Sequence, residues 1–490
     1  MKKISVYILL LTIAGLGACQ KDKLNPVPTT DMPDFLAFQN SERIASQVNG
    51  LYAVMKNGKF LGGKFQIANE VRGEDYQNEL SNSVTLNLTW RMFVGNETQE
   101  VKEIWSQGYL AINNANVFLD GMAAAGTKVV GDSLSKVYIG EAKFVRALSY
   151  FSLLQLYARP HWDGAGSKPG LVLYLDGHTK LGNYARARST VNEIYAQVIK
   201  DLDSAEMLLP KKKAGTTDAV TRANAWSAIA LKARAYLYME QYDKVVAEAS
   251  KIVSATAPFV SPGNHGLEPD ITKVFATPYT TAESIFSLPF TSTVGDFPGT
   301  QTQLGFYFSP NTAGGNGEYS LISTGIISDS SWKPQTDARR KFLLAVPQSG
   351  GKPPKYYLNK YPTPSPYTDW APILRYAEVL LNLAEARVRI SGTVDAGAVA
   401  LLSAVRHRSD PSVTYTTADF ADAATLLAAI QKEKHIELLG EGFRSMEITR
   451  QGATFPARGG VGAVAPSAKA YIWPISSDEL VYNKLCVDNQ

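Results

Sequence analysis

The chain has 490 residues, 45% of them apolar, which is enough for a sizeable core and long for one ordinary domain. Its 49 basic and 45 acidic residues leave a formal charge of +4. That near-balance excludes the strong positive field of a nucleic-acid binder, and Lys211-Lys212-Lys213 reads as a solvated loop.

Met1-Lys2-Lys3 is a short basic start, and Ile4 to Ala14 is almost entirely apolar. The run is too short to span a bilayer and reads as the core of a secretory signal. Leu16-Gly17-Ala18-Cys19 follows, and this order resembles a bacterial lipobox. Such signals are cut before the cysteine, which then carries several acyl chains and holds the protein stably on a membrane. With Cys19 acylated, Cys486 has no partner and no disulfide is expected. Residues 20–34 are polar and proline-containing, the composition of a tether.

Helical patterns then alternate with long irregular stretches. Trp105, Tyr109, Ile112 and Asn116 recur at steps of four, three and four, one helix face. Phe144, Ala147, Leu148, Phe151 and Leu154 make a second stripe that stops before Pro160, and residues 190–209 a third helix ended by Pro210. Residues 222–253 read as helix, turn, helix. There Ala233, Tyr236, Tyr242 and Ala249 fall where a tetratricopeptide repeat places its packing residues, with Glu240 where that repeat prefers glycine. A second helical cluster covers 373–440; Pro372 suits its first turn, and Gly392 and Gly440 suit its stops.

Between the clusters lie 60–98 and 256–370, rich in Gly, Pro, Asn and aromatic residues, and loops of that length are functional or disordered. Their aromatic density favours function. A sugar offers an apolar ring face and a rim of hydroxyls, which an aromatic ring and nearby polar side chains can match. Asp75, Tyr76, Asn78 and Trp90 provide this mixture in one loop. Tyr307, Asn311, Tyr319 and Trp332 provide it in another, and the stretch 356–370, ending in Trp370, is a third option. The alternative for each ring is that it packs its loop onto the scaffold, since large aromatics are mostly buried.

No catalytic constellation is visible: there is no Gly-x-Ser-x-Gly, Walker-type loop or His-Glu-x-x-His. His161, His178, His265, His407 and His435 are dispersed, and neither a structural zinc site nor a cofactor is expected. Loop aspartates such as Asp75 leave calcium open, without an ordered oxygen-ligand motif. Arg375, Glu378, Asn382 and Glu385 share one helix face. Two glutamates alongside each other on one helix leave no cleft for a sugar between them, so the stripe reads as paired charge fastening helix to helix.

Several segments, in order, resemble the SusD/RagB family of surface glycan-binding lipoproteins: WSQGYLAINNAN, EAKFVRALSYFSLLQLYARP, LRYAEVLLNLAEA, AVRHRSD, IQKEKHIELLGEGFRSMEITRQG and IWPISSDEL. Glu433, Glu437, Glu441, Gly442, Arg444, Glu447 and Arg450 fill the family's late motif, while His435 and Glu447 depart mildly from its commonest residues. The resemblance implies a mainly α fold, a scaffold of tetratricopeptide-like helix pairs with long irregular loops carrying the ligand face. It also implies a SusC-like TonB-dependent β-barrel transporter as partner, over which the lipoprotein sits as a lid at the outer-membrane surface. Gln20-Lys21-Asp22 looks like the short charged export signal of such lipoproteins. The chain then divides into a signal peptide (1–18), a lipidated tether (19–34), an N-terminal part (35–255) and a C-terminal part (256–490) packed with it as one unit. The expected function is non-catalytic capture of an oligosaccharide for that transporter. Peptide cargo, glycosidase activity and a pure helical scaffold are the competing expectations.

Overall fold

The computed structural model describes residues 37–211, 215–299 and 301–489. Cys19, the signal, the tether and Lys212-Lys213 lie outside the described residues.

The fold is mainly α. Helix α1 (Ser41–Met55) and the short α2 (Lys64–Val71) lead into strand β1 (Tyr76–Asn78). Helices α3 (Gln99–Gly121) and α4 (Thr127–Tyr157) carry the first two predicted stripes, and α5 (Val191–Leu208) packs along α4. A capping box starts α5: Thr190 Oγ1 accepts the Glu193 N–H, and the Glu193 carboxylate accepts the Thr190 N–H at 2.7 Å. Between α4 and α5 run β2 (Pro169–Val172) and β3 (Arg188–Thr190).

The repeat-like unit is α6 (Ala225–Tyr238) and α7 (Tyr242–Ala249). Every residue of α6 is buried, because α5, α7 and later helices surround it. Glu240, in the turn, has φ 56°. That left-handed backbone is why the repeat prefers glycine at this place.

The 256–370 stretch holds short strands: β4 (Ser284–Leu288), β5 (Tyr319–Leu321), β6 (Leu343–Val346) and β7 (Lys355–Leu358). β1, β5, β7 and β6 form one sheet in that order, with Tyr76 opposite Leu321, so the first loop region is zipped to the second. Pro372 does not start a helix. It lies in β8 (Ala371–Arg375), antiparallel to β4 and opposite Ser287 beside a register shift. A two-stranded ribbon with a bulge tolerates the missing N–H. The helix α8 (Tyr376–Ser391) begins only afterwards and stops at Gly392, φ 61°. Helices α9 (Ala396–Ser409), α10 (Ala423–Glu437) and α11 (Arg444–Arg450) complete the second cluster.

Buried ion pairs fasten these layers. Arg234 on α6 grips Glu378 on α8 through two hydrogen bonds of 2.6 and 2.5 Å. Glu385, one face-neighbour along, is held by Arg450 at 2.8 and 2.6 Å. Arg375 reaches Glu441, Glu437 and Glu283, and Arg339 reaches Asp337, Glu433 and Glu437. Arg375, expected on the helix face, instead ends β8, while Glu378 and Glu385 lie on α8; each of the three charges is paired with a different partner. Among the described residues no helix is long and apolar enough to cross a membrane.

Candidate functional site

The turn between α10 and α11 builds the site. Gly440 (φ 83°) and Gly442 (φ 90°) take left-handed backbone that other residues disfavour. A Cβ on Gly442 would sit 2.7 Å from the Gln66 Cα, so the chains meet backbone to backbone. Glu70, at the end of α2, points into the turn. Its carboxylate accepts the N–H of Gly440 at 3.0 Å and those of Gly442 and Phe443 at 2.8 Å each. Burial raises the Glu70 pKa, and these N–H groups oppose the rise without cancelling it.

The turn sets α10 and α11 so that matching stripes face each other. Gln431, Lys434, His435 and Leu438 supply one wall; Arg444, Glu447, Ile448 and Gln451 supply the other. Both sets follow the i, i+3, i+4, i+7 spacing of one helix face. Between them lies a cleft of about 250 Å³, floored by Leu438, Leu439 and Phe443 and rimmed by Ile326 and Ala453.

Its charged groups are matched in place. His435 Nε2 lies 2.5 Å from Asp75 Oδ2, while Asp75 Oδ1 accepts the Ile326 N–H at 2.9 Å. Burial pushes the Asp75 carboxyl up, but the His435 and Arg444 charges and that N–H outweigh it and hold it below the usual range. Arg444 forks onto Glu74, Lys432 pairs with Asp329 at 2.9 Å, and Lys434 pairs with Glu447 at 3.0 Å. The side-chain amides of Gln431 and Gln451 bond to no described residue. Glu74, Asp75 and His435 also bring one ligand atom each within 4.8 Å of one another, the donor set of a divalent cation. The guanidinium of Arg444 on Glu74 already supplies positive charge there.

The residues singled out from the sequence fall in different places. Asp75 is buried behind the cleft and reaches it only through its bond to His435. Tyr76 is buried in β1 with its ring 5.0 Å from that of Phe308. Asn78 is buried and accepts from Ser81 N–H and Asn87 Nδ2, both at 2.8 Å. Trp90 donates its Nε1–H to the Tyr76 carbonyl at 2.7 Å, with the Arg458 guanidinium over its ring. Tyr307 and Tyr319 stack on each other inside the core, and Trp332, 1% exposed, lies under the Arg340 guanidinium. Asn311 is exposed, and Trp370, half-buried, stacks on Tyr279. The buried rings fill the loops themselves and offer no face to solvent. Sequence reasoning passed over Phe93, which is 75% exposed. It follows Met92, whose φ of 54° is strained for a side-chain-bearing residue. Met92 itself belongs to a small apolar cluster with Ile448 of the cleft wall, against which the half-buried Trp162 packs.

Comparison with known proteins agrees with this architecture. Residues 22–237 match the family model SusD-like_3, "Starch-binding associating with outer membrane", and residues 345–489 match SusD_RagB, "SusD family". No protein of curated function matches the chain. A SusD superfamily protein from Bacteroides fragilis is 33% identical, with a TM-score of 0.80 over 92% of this chain and 99% of its own. A SusD superfamily protein from Bacteroides thetaiotaomicron reaches the same TM-score at 21% identity, covering 92% of this chain and 99% of its own. Surface glycan-binding protein A from Bacteroides thetaiotaomicron, solved with laminarihexaose, has a TM-score of 0.71 at 18% identity, over 92% of this chain and 100% of its own. With a relative this similar along almost its whole length, the chain belongs to the SusD/RagB family.

Proposed function

We propose that this protein captures an oligosaccharide at the bacterial surface, without cleaving it, and passes it to a SusC-like TonB-dependent β-barrel transporter. The observation that carries the reading is the cleft: two amides with no partner among the described residues and a mostly buried imidazole over an apolar floor. Amides bond sugar hydroxyls and an exposed ring covers a sugar face. The glutamates that might have suggested hydrolysis are locked in ion pairs with arginines, so none is poised as a general acid. The family supports surface glycan binding, and the laminarihexaose complex is an example on the same fold. Asp75, acting through His435, and Asn311, an exposed loop residue, stay in the proposed ligand set, and Cys19 as the lipid anchor.

The test is a pull-down of the Cys19-anchored protein from outer membrane solubilised in mild detergent, followed by calorimetry with a glycan panel. A β-barrel recovered in equal amount and a binding oligosaccharide support the proposal. Protein recovered alone, or a panel on which only peptides bind, overturns it. Cys19→Ala should leave the protein in the soluble fraction.

A further inference from the structure

We infer that the cleft between α10 and α11 selects the terminal unit of an uncharged glycan; this rests on the glycan-binding reading and narrows it to a ligand class. The argument is one of leftover chemistry. Six ionisable side chains line the cleft, and each is already engaged: Glu70 by three backbone N–H groups, Lys432 by Asp329, Lys434 by Glu447, His435 by Asp75, Arg444 by Glu74, and Glu447 also by Arg450. A uronate or sulfate entering the cleft finds no cation without a partner. It must either stay unpaired as it loses water or compete with a carboxylate already in place, which is costly at the buried Lys434 and slight only at the exposed Lys432 on the rim. The lining polar side chains with no partner among the described residues are neutral, the amides of Gln431 and Gln451, which can both donate and accept. That is what a sugar hydroxyl requires.

Size sets the second half of the inference. The cleft holds about 250 Å³ and its floor is closed by Leu438, Leu439 and Phe443. That is below the ~300–1,000 Å³ of pockets that enclose drug-sized ligands. One sugar ring fits, and the closed floor admits a chain end rather than a chain passing through.

The mature lipoprotein in detergent is titrated calorimetrically with two panels: uncharged oligosaccharides (laminari-, cello-, manno-, xylo- and malto-series, two to six units) and oligogalacturonides of equal lengths. Each is measured in 50 and 300 mM salt. We expect an uncharged series to bind with affinity that levels off by three units and does not change with salt, and galacturonides to bind at least tenfold more weakly. Gln431→Ala and Gln451→Ala should each weaken binding about three- to tenfold, the loss of one neutral hydrogen bond, with unchanged thermal unfolding. Galacturonides binding as well as or better than every uncharged series would overturn the inference while leaving glycan capture standing. So would an affinity that climbs steadily to six units and ignores both glutamine substitutions. If no oligosaccharide in either panel binds, the glycan reading itself fails and this one with it.

Discussion

Replacing Glu70 tests whether one buried carboxylate holds the α10–α11 turn, and with it the cleft. In Glu70→Ala the N–H groups of Gly440, Gly442 and Phe443 lose their acceptor inside the protein. Each orphaned donor costs about 1–3 kcal/mol and the loop recovers part of that by relaxing, so a net loss of about 3–5 kcal/mol is expected. Glu70→Gln is milder. Its amide oxygen can keep the bonds to Gly442 and Phe443, while its NH2 meets the Gly440 N–H donor to donor, for a loss of about 1–2 kcal/mol. Guanidinium unfolding at pH 7, followed by far-UV circular dichroism, reads both. pH adds a signature. Burial raises the Glu70 pKa in the fold. Its contribution is therefore greatest below the unfolded carboxylate range and is lost as pH rises through the folded value. The glutamine variant lacks this titration, so the gap between wild type and Glu70→Gln should widen as pH falls. An alanine variant within about 0.5 kcal/mol of wild type would refute the reasoning, because that is the effect of an ordinary surface substitution.

Arg450→Met leaves Glu385 and Glu447 buried without their main counter-charge, and thermal or chemical unfolding should show a loss of about 3–5 kcal/mol. Acid has a related effect: burial raises Glu385 but Arg450 and Lys434 bring it down to about 2. Its stabilisation of about 3 kcal/mol is complete above the ordinary carboxylate pKa and is lost as pH falls from 4.5 towards 2, which unfolding midpoints across that window will reveal. Burial pushes the Cys486 thiol up to about 12, so at pH 8 its alkylation in a chain lacking Cys19 should run about a thousandfold slower than that of a free cysteine; a rate near the free thiol's would mean the C-terminal segment opens.

The helices were legible because each buries one face and repeats its apolar residues at helical spacing, as the Trp105–Asn116 and Phe144–Leu154 stripes show. Pro372 was not, because ring stereochemistry suits a first helical turn and a bulged edge strand equally, and only pairing with β4 decides. The loop aromatics failed as a surface signal for a related reason. A loop region as long as 256–370 must fold onto something, and backbone polar groups give it little reason to collapse. Tyr307, Tyr319 and Trp332 are the material that collapses it, so aromatic density reported an extension of the main core rather than a binding face. Trp90 and Phe93 stand three residues apart in one loop, and the more conspicuous ring is the buried one. What composition could not carry was position. Gln431, His435 and Gln451 sit inside a motif whose glutamates and arginines read as scaffold, and His435 acquires its role from Asp75, 360 residues away in the chain. The same turn that the motif's Gly442 permits, and that Glu70 ties down, brings the two glutamines into one cleft. In this chain the family's structural signature and its candidate ligand site are therefore one piece of backbone, and a substitution that loosens the turn should lose stability and ligand affinity together.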